Sequence, residues 1–505
     1  MFETLEVGRQ VKKKAFNKAV LELREKLLKL QFELADRDFS VIIVVAGVEG
    51  AGKGDVVHRL NEWMDPRLIE TFAFWDHSDE EESRPFSWRF WRALPAHGRI
   101  GIFFGSWYTR PVFRRATGAI SDAEFTVEMQ RIVESERMFT DDGTLIIKLW
   151  FHLPAEVAAE RARLDRLREF PDLEMPVTGV EFYESYEELK AISERAIRAT
   201  DTGRSPWHLI EAGDDNYRDL TTGQTVLQCL ESRLDKGYQV ASHTPPISLG
   251  ENGQPTILDR LDMDAALDPD EYKEQLEQYQ SRLDDLAWSA RRNKVPCIAL
   301  FEGWDAAGKG SAIRRVTQAI DPRLFQLHQF AAPTDEEASH HYLWRFWRKL
   351  GRDGSFTLFD RSWYGRVLVE RVEGFASETE WQRSYGEINR FEEQLCDHGA
   401  VVLKFWIHIT SEEQLSRFKQ REKTPHKQHK ITEEDWRNRD KWHDYEIAVH
   451  DMVTHTSTSY APWTLVAGND KRHARIHILK TFCEQLEAGV ERARAAANAE
   501  VPSSD

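Results

Sequence analysis

Apolar residues along the chain fall into two recurring patterns. Between Glu271 and Ala290 they recur at Leu276, Leu283, Leu286 and Ala287, a helical spacing that turns one face to a core. Cys297-Ile298-Ala299-Leu300-Phe301 is instead a short unbroken apolar run, as expected of a strand buried on both faces. A glycine-rich stretch from Gly303 to Gly310 follows, and Ser311 to Ile320 reads as the helix it feeds. Phe356 to Phe359 and Ala400 to Ile409 predict two more strands, with a helix over Glu378 to Asp397 between them. Strands and helices alternating in this order predict a three-layer α/β/α sandwich around a parallel sheet.

The pattern occurs twice, at an offset of 256 residues. Gly47-Val48-Glu49-Gly50-Ala51-Gly52-Lys53-Gly54 falls on Gly303-Trp304-Asp305-Ala306-Ala307-Gly308-Lys309-Gly310. In the same register Trp88-Arg89-Phe90-Trp91-Arg92 falls on Trp344 to Arg348, and Ser106-Trp107-Tyr108 on Ser362-Trp363-Tyr364. Lys148 and Trp150 fall on Lys404 and Trp406, and Pro206-Trp207 on Pro462-Trp463. Tryptophan is too rare for such coincidence; the stripes read as core packing and establish an internal duplication. Breaker residues from Ser242 to Pro255 mark the join. The expected organisation is a first domain over 1–235, a linker over 236–264, a second domain over 265–490 and a flexible tail over 491–505.

Composition narrows the class. Of 505 residues, 41% are hydrophobic and 30% charged, a globular balance, and mean hydropathy is −0.57. No apolar run reaches membrane-spanning length, and the amphipathic first 31 residues lack the apolar core of a secretory leader. Four scattered cysteines (Cys229, Cys297, Cys396, Cys483) without metal-ligand spacing point to a reducing cytoplasm. A net charge of −17 argues against a nucleic-acid binder and, alone, against any polyanionic substrate.

Local chemistry reverses that last point. Gly303-x4-Gly308-Lys309 has the spacing of a phosphate-binding loop between a strand and a helix. Backbone N–H groups of Gly303, Ala306, Ala307, Gly308, Gly310 and Ser311 are placed to cradle phosphate oxygens, with Lys309 as a mobile cation. The Ser or Thr that usually follows the lysine is displaced by one position, to Ser311. Asp360 closes the apolar run Phe356–Phe359, which puts a carboxylate at the carboxyl edge of the sheet. With Asp305 it makes a pair suited to magnesium, with manganese able to substitute. Arg417, Lys419, Arg421, Lys423, Lys427 and Lys430 then fall within 14 residues holding one acid, Glu422, the expected cationic lid.

At these residues the chain resembles polyphosphate kinase family 2. The resemblance rests on Gly303 to Gly310, Asp360-Arg361-Ser362-Trp363-Tyr364, Lys427 and Lys430, Ala461-Pro462-Trp463 and Asn469-Asp470-Lys471-Arg472. It covers essentially all of the second domain and, more weakly, the first. It implies a thymidylate-kinase-like fold and magnesium-dependent phosphoryl transfer between polyphosphate and a nucleotide. The tandem arrangement is similar to that of enzymes making ADP from AMP and polyphosphate, without nucleic-acid or membrane partners; assembly into a homo-oligomer stays open.

Charge logic then assigns roles, since a loose phosphoryl-transfer transition state asks mainly for positioning and neutralisation. Lys309 would hold the transferring phosphate, Asp305 and Asp360 the metal, and Arg361 and Arg366 the acceptor or transferring group. Arg417 and Arg421, with Lys423, Lys427 and Lys430, would clamp the chain. His408, matched by His152, reads as a core histidine rather than a phosphohistidine.

The first copy keeps the loop and Lys53 but has Phe104 and Gly105 where the second has Asp360 and Arg361. Its lid counterpart, 161–174, balances four cations against four acids. A non-catalytic role is expected for it. Two other functions remain open at this stage: an ATP-dependent nucleotide kinase, and a nucleotide- or polyphosphate-sensing regulator.

Overall fold

The computed structural model describes residues 1–74, 76–168, 186–237, 256–424 and 433–500. In the first repeat the strands are β1 (Val41–Gly47), β2 (Ile69–Ala73), β3 (Ile100–Phe104), β4 (Leu145–His152) and β5 (Trp207–Glu211). In the second they are β6 (Cys297–Gly303), β7 (Phe325–Gln329), β8 (Phe356–Asp360), β9 (Val401–His408) and β10 (Trp463–Ala467). Every pairing is parallel, in the orders β2-β3-β1-β4-β5 and β7-β8-β6-β9-β10, so the duplication extends to topology. Helices cover each sheet, which is why the central strands lack apolar–polar alternation: Cys297 to Phe301 are at most 4% exposed.

The predicted helices form where their ends are specified. The one over Glu378–Asp397 has the expected limits and starts in a reciprocal Ser377/Glu380 cap. The helix expected from Glu271 begins at Pro269, because the Asp268 side chain accepts from the N–H groups of Asp270 and Glu271. The helix expected over Ser311–Ile320 instead runs from Lys309 to Thr317. It starts inside the phosphate loop and stops short of Pro322, whose ring disfavours helix before it. The terminal helix, Lys471–Glu500, passes residue 490, where a flexible tail was expected to begin. Its last turns are built, apart from Asn498, of Glu, Arg and Ala, good helix formers. Among the described residues, no helix is long and apolar enough to cross a membrane.

One feature departs from a simple contiguous duplication. The first compact unit comprises Met1–Ser78, Arg89–Ala241 and Asp335–Trp344; the second comprises Asp79–Trp88, Ser242–Thr334 and Arg345–Asp505. Equivalent short segments of the two repeats are therefore exchanged. Within the second unit, the Asp353 N–H donates to the Ser83 carbonyl (3.0 Å), and Arg84 donates to the Leu350 carbonyl (3.0 Å).

Beneath the loop after β8 lies a buried polar network. Lys404 Nζ donates to Glu392 Oε2 (2.7 Å), the Tyr364 hydroxyl (2.9 Å) and the Thr456 carbonyl (2.7 Å). Glu392 Oε1 accepts from the Trp363 indole (3.0 Å) and the Tyr364 hydroxyl (2.7 Å). Burial pushes the Glu392 carboxyl up and the Lys404 amine down, while each partner pulls the other back toward its charged form. The first repeat builds the same network from Lys148, Glu136, Trp107, Tyr108 and Thr200.

Cutting one member from such a pair strands a buried charge, at a typical cost of about 3–5 kcal/mol. Glu392→Ala should therefore lower the denaturation midpoint sharply, and Glu136→Ala should do the same for the first repeat. The measurement is urea unfolding followed by circular dichroism. A shift in either variant no larger than that of a surface Glu→Ala control would refute a supporting role for the pair.

Candidate active site

The site is built where β6 and β8 end. Phe301 pairs with Asp360 across the two strands, so the phosphate loop after β6 and the carboxylate closing β8 emerge side by side at the carboxyl edge. Gly303, which ends β6, has φ 149°, and a Cβ there would stand 2.4 Å from the Ile407 carbonyl oxygen of β9. Only glycine lets the loop leave the sheet this closely. The chain then passes Ala306, φ 62°, and enters the helix at Lys309. That helix turns its N-terminal N–H groups toward the loop's concavity, the arrangement that favours a phosphate. Gly308, Gly310 and Ser311 lie at this junction, and the Ser311 hydroxyl accepts from Arg475 (3.3 Å).

Lys309 Nζ donates to the carbonyls of Gly303 (2.5 Å) and Trp304 (3.2 Å), which folds the amine back over the loop. Asp305 is 17% exposed; its Oδ2 accepts from the Asn438 amide (2.9 Å), and its Oδ1 stands 3.6 Å from the Arg361 guanidinium. Arg361 has φ 65°, a left-handed conformation unusual for a residue with a side chain. Arg366 pairs with Glu370 at 3.0 Å.

Two loop-side residues do more than the motif indicates. Glu302, the last residue of β6 before Gly303, is buried, and its Oε1 accepts from the Ser362 N–H (2.7 Å) and hydroxyl (2.8 Å). Burial pushes its carboxyl up, against the opposing pull of nearby Lys309. Trp304 stacks face to face on Trp442, with centroids 3.6 Å apart, and its indole donates to His408 Nδ1 (3.0 Å). Asn438 and Trp442 thus bring the segment beyond the lid back onto the phosphate loop.

The expected lid residues separate by position. All five guanidinium N–H groups of Arg417 are engaged: Nε with Glu413, the others with the carbonyls of Ala306, Ala307, Gly468 and Asn469. At 4% exposure it braces the phosphate loop from behind; a hand for the substrate chain is not what its contacts describe. Arg421 and Lys423 lie at the end of the helix Ser411–Glu422, while Lys427 and Lys430 lie outside the described residues. His408 is occupied by the Trp304 bond, and burial pushes it down to about 4. His152 packs on Phe2 and pairs with Glu6 (2.8 Å). Both are core histidines.

The residues that could hold a divalent cation are Asp305 and Asp360, whose carboxylates are hard oxygens of the kind magnesium takes. Among the described residues no group of three or more His, Cys, Asp or Glu gathers, so water and phosphate oxygens would fill the remaining positions.

The first copy keeps the fold of the loop and the carbonyl contacts of its lysine but is furnished differently around them. Lys53 stands 3.5 Å from Glu49 and donates to the Gly47 (3.0 Å) and Val48 (3.1 Å) carbonyls, and burial pushes its amine down. Phe104 closes β3. Arg218, buried and paired with Asp219 (2.8 Å), lies so close to Gly52 that a Cβ there would meet its guanidinium at 1.8 Å. The second copy has Ala474 at that position.

Sequence reasoning named the loop and both aspartates, but not Glu302, Asn438 or the Trp304–Trp442 stack. Glu302 had one readable signal, a lone carboxylate in an apolar strand whose first-copy counterpart is Ala46. Asn438 had none, since its approach depends on the return path of the chain.

Comparison with known proteins identifies the family. Residues 10–237 and 266–494 each match the domain family Polyphosphate kinase 2 (PPK2). The chain is 49% identical to the polyphosphate:AMP phosphotransferase of Pseudomonas aeruginosa, over 97% of this chain and 100% of that one. It is 45% identical to the enzyme of the same name from Pseudomonas syringae pv. tomato, over 97% and 99%. A crystal structure of polyphosphate kinase 2 from Pseudomonas aeruginosa superposes with a TM-score of 0.86 at 48% identity, covering 97% of this chain and all of that one. Two phosphate loops on two equivalent parallel sheets, with both halves matching one family, place this chain in the polyphosphate kinase 2 family.

Proposed function

We propose that the chain transfers the terminal phosphoryl group of inorganic polyphosphate to AMP, giving ADP, and that the second repeat does the chemistry. The reading is carried by one observation. Among the described residues, only the second repeat gathers a phosphate-loop lysine, two carboxylates and an arginine at one sheet edge, in a chain matching polyphosphate:AMP phosphotransferases over nearly their whole length.

An oxygen of the AMP phosphate attacks the terminal phosphorus of the chain in line. A new P–O bond forms as the bridging P–O bond breaks, and the electron pair leaves with a polyphosphate one unit shorter. Charge spreads over the three equatorial oxygens, so the protein's task is to hold and neutralise. The loop N–H groups and Lys309, released from its own carbonyls, meet those oxygens. Arg361 and Arg366 align acceptor against donor, and Arg421, Lys423, Lys427 and Lys430 hold the polyphosphate tail. Arg417 keeps the loop in shape. Magnesium, held by Asp305 and Asp360, would supply further neutralisation of the phosphate oxygens. We place the enzyme in the cytoplasm, where AMP is found, with no nucleic-acid or membrane partner.

The direct test is ADP formation from AMP with polyphosphate as donor, run beside ATP as donor. Turnover only with ATP would replace this reading with an ordinary nucleotide kinase, and turnover with neither donor would favour a sensor. Two variants refine it. Asp360→Asn should keep the fold and lose at least about 10²-fold in kcat, as expected when a metal anchor goes; near-normal activity would remove Asp360 from the metal site. Lys309→Ala should lose about 10³-fold, whereas Lys53→Ala should change kcat less than about twofold, because Lys53 lacks the groups that complete a transition-state site. Equal damage from the two, with both variants folded by circular dichroism, would end the division into a working and a silent copy.

A further inference from the structure

Glu302 is a buried carboxylate that follows an unbroken apolar run, Cys297 to Phe301, in the central strand β6. Its residue is 6% exposed, in β6, between Phe301 and Gly303. Burying a charged group is unfavourable unless partners compensate, so the partners show what the group is there for. Both are on the loop after β8: the Ser362 N–H at 2.7 Å and the Ser362 hydroxyl at 2.8 Å, on the same oxygen. The residue before Ser362 is Arg361, turned left-handed at φ 65°, with its guanidinium 3.6 Å from Asp305. A side-chain-bearing residue keeps that conformation only where its surroundings fix it, and such residues gather at working sites.

The first repeat supplies an internal control. It makes the same left-handed turn at the equivalent position with Gly105, φ 75°, which needs no support. There the Ser106 N–H is satisfied by the Thr109 hydroxyl (3.1 Å), and Glu302 is replaced by Ala46. The sheet and turn therefore form without a buried carboxylate. The carboxylate is present where the turn must carry an arginine.

We propose that Glu302 is a positioning residue for phosphoryl transfer: by accepting both Ser362 hydrogen bonds it holds the Arg361 turn so that the guanidinium meets the reacting phosphates beside Asp305. The proposal rests on the polyphosphate-to-AMP reading of the site. Ser362 is the intermediary, and Glu302 itself touches neither substrate.

The test uses the full chain and steady-state kinetics with polyphosphate and AMP. Glu302→Ala should lower kcat about 100-fold while moving either Michaelis constant less than about threefold, the pattern of a lost transition-state interaction. Glu302→Gln keeps an acceptor oxygen of the same reach and should recover to within about tenfold of the parent, which a requirement for charge alone would not allow. Arg361→Gly combined with Glu302→Ala should be no worse than Arg361→Gly alone, since both remove one function. Normal kcat in Glu302→Ala, a Gln variant as poor as Ala, or additive losses in the double variant would each overturn the proposal. If Glu302→Ala does not fold, the Gln comparison and the same additivity test with Ser362→Ala decide it. Inactivity of the unmodified chain toward polyphosphate and AMP would instead defeat the functional reading beneath it.

Discussion

A lysine and a glutamate buried under the loop that follows β8 carry the geometry on which the site depends. Lys404 and Glu392 are each fully enclosed, and Glu392 takes hydrogen bonds from the Trp363 indole and the Tyr364 hydroxyl at once. Two aromatic side chains hung from one carboxylate leave the chain before them little freedom, and Asp360 and Arg361 are that chain. The arrangement also divides the Asp-Arg-Ser-Trp-Tyr run by purpose. Its aromatic half is architecture, which is why the first repeat keeps Trp107 and Tyr108 on Glu136 and Lys148. Its acidic and basic half, to which we assign the chemistry, is where the first repeat departs, with Phe104 and Gly105.

Arginine shows the same division. A chain of net charge −17 that handles a polyanion needs local positive field, and we assign that part to the run from Arg417 to Lys430. Yet the first member of that run is spent on carbonyl oxygens. Arg161, its first-repeat counterpart, likewise donates to the carbonyls of Ala212 (3.1 Å) and Gly213 (2.7 Å). Counting charges along the sequence cannot separate a guanidinium that braces backbone from one that faces a ligand. Only the donors' destinations can.

Much of the second repeat was legible because its signals are local. Apolar runs set β6, β8 and β9, a cap set the helix at Glu378, and the phosphate loop announced itself by glycine spacing between strand and helix. The exchanged segments 79–88 and 335–344 were not legible, since a 256-residue register aligns the repeats equally well whichever unit each segment joins. Asn438 was invisible for a related reason: nothing in its own neighbourhood marks it, and its partner Asp305 lies 133 positions away. Glu302 was visible as an oddity but not as a role. Its meaning needed Ser362 in contact and the φ angle of Arg361.

Arg218 sets a constraint that the two halves do not share. Its guanidinium, paired with Asp219 and Asp215, stands so close to Gly52 that a Cβ there would meet it at 1.8 Å. The second repeat has Ala474 at the matching position, and a Cβ on Gly308 would meet nothing nearer than the Ser311 hydroxyl at 3.8 Å. The same loop glycine is therefore locked by a neighbouring side chain in the first half and by its backbone angle alone in the second, so equivalent substitutions would disturb different things.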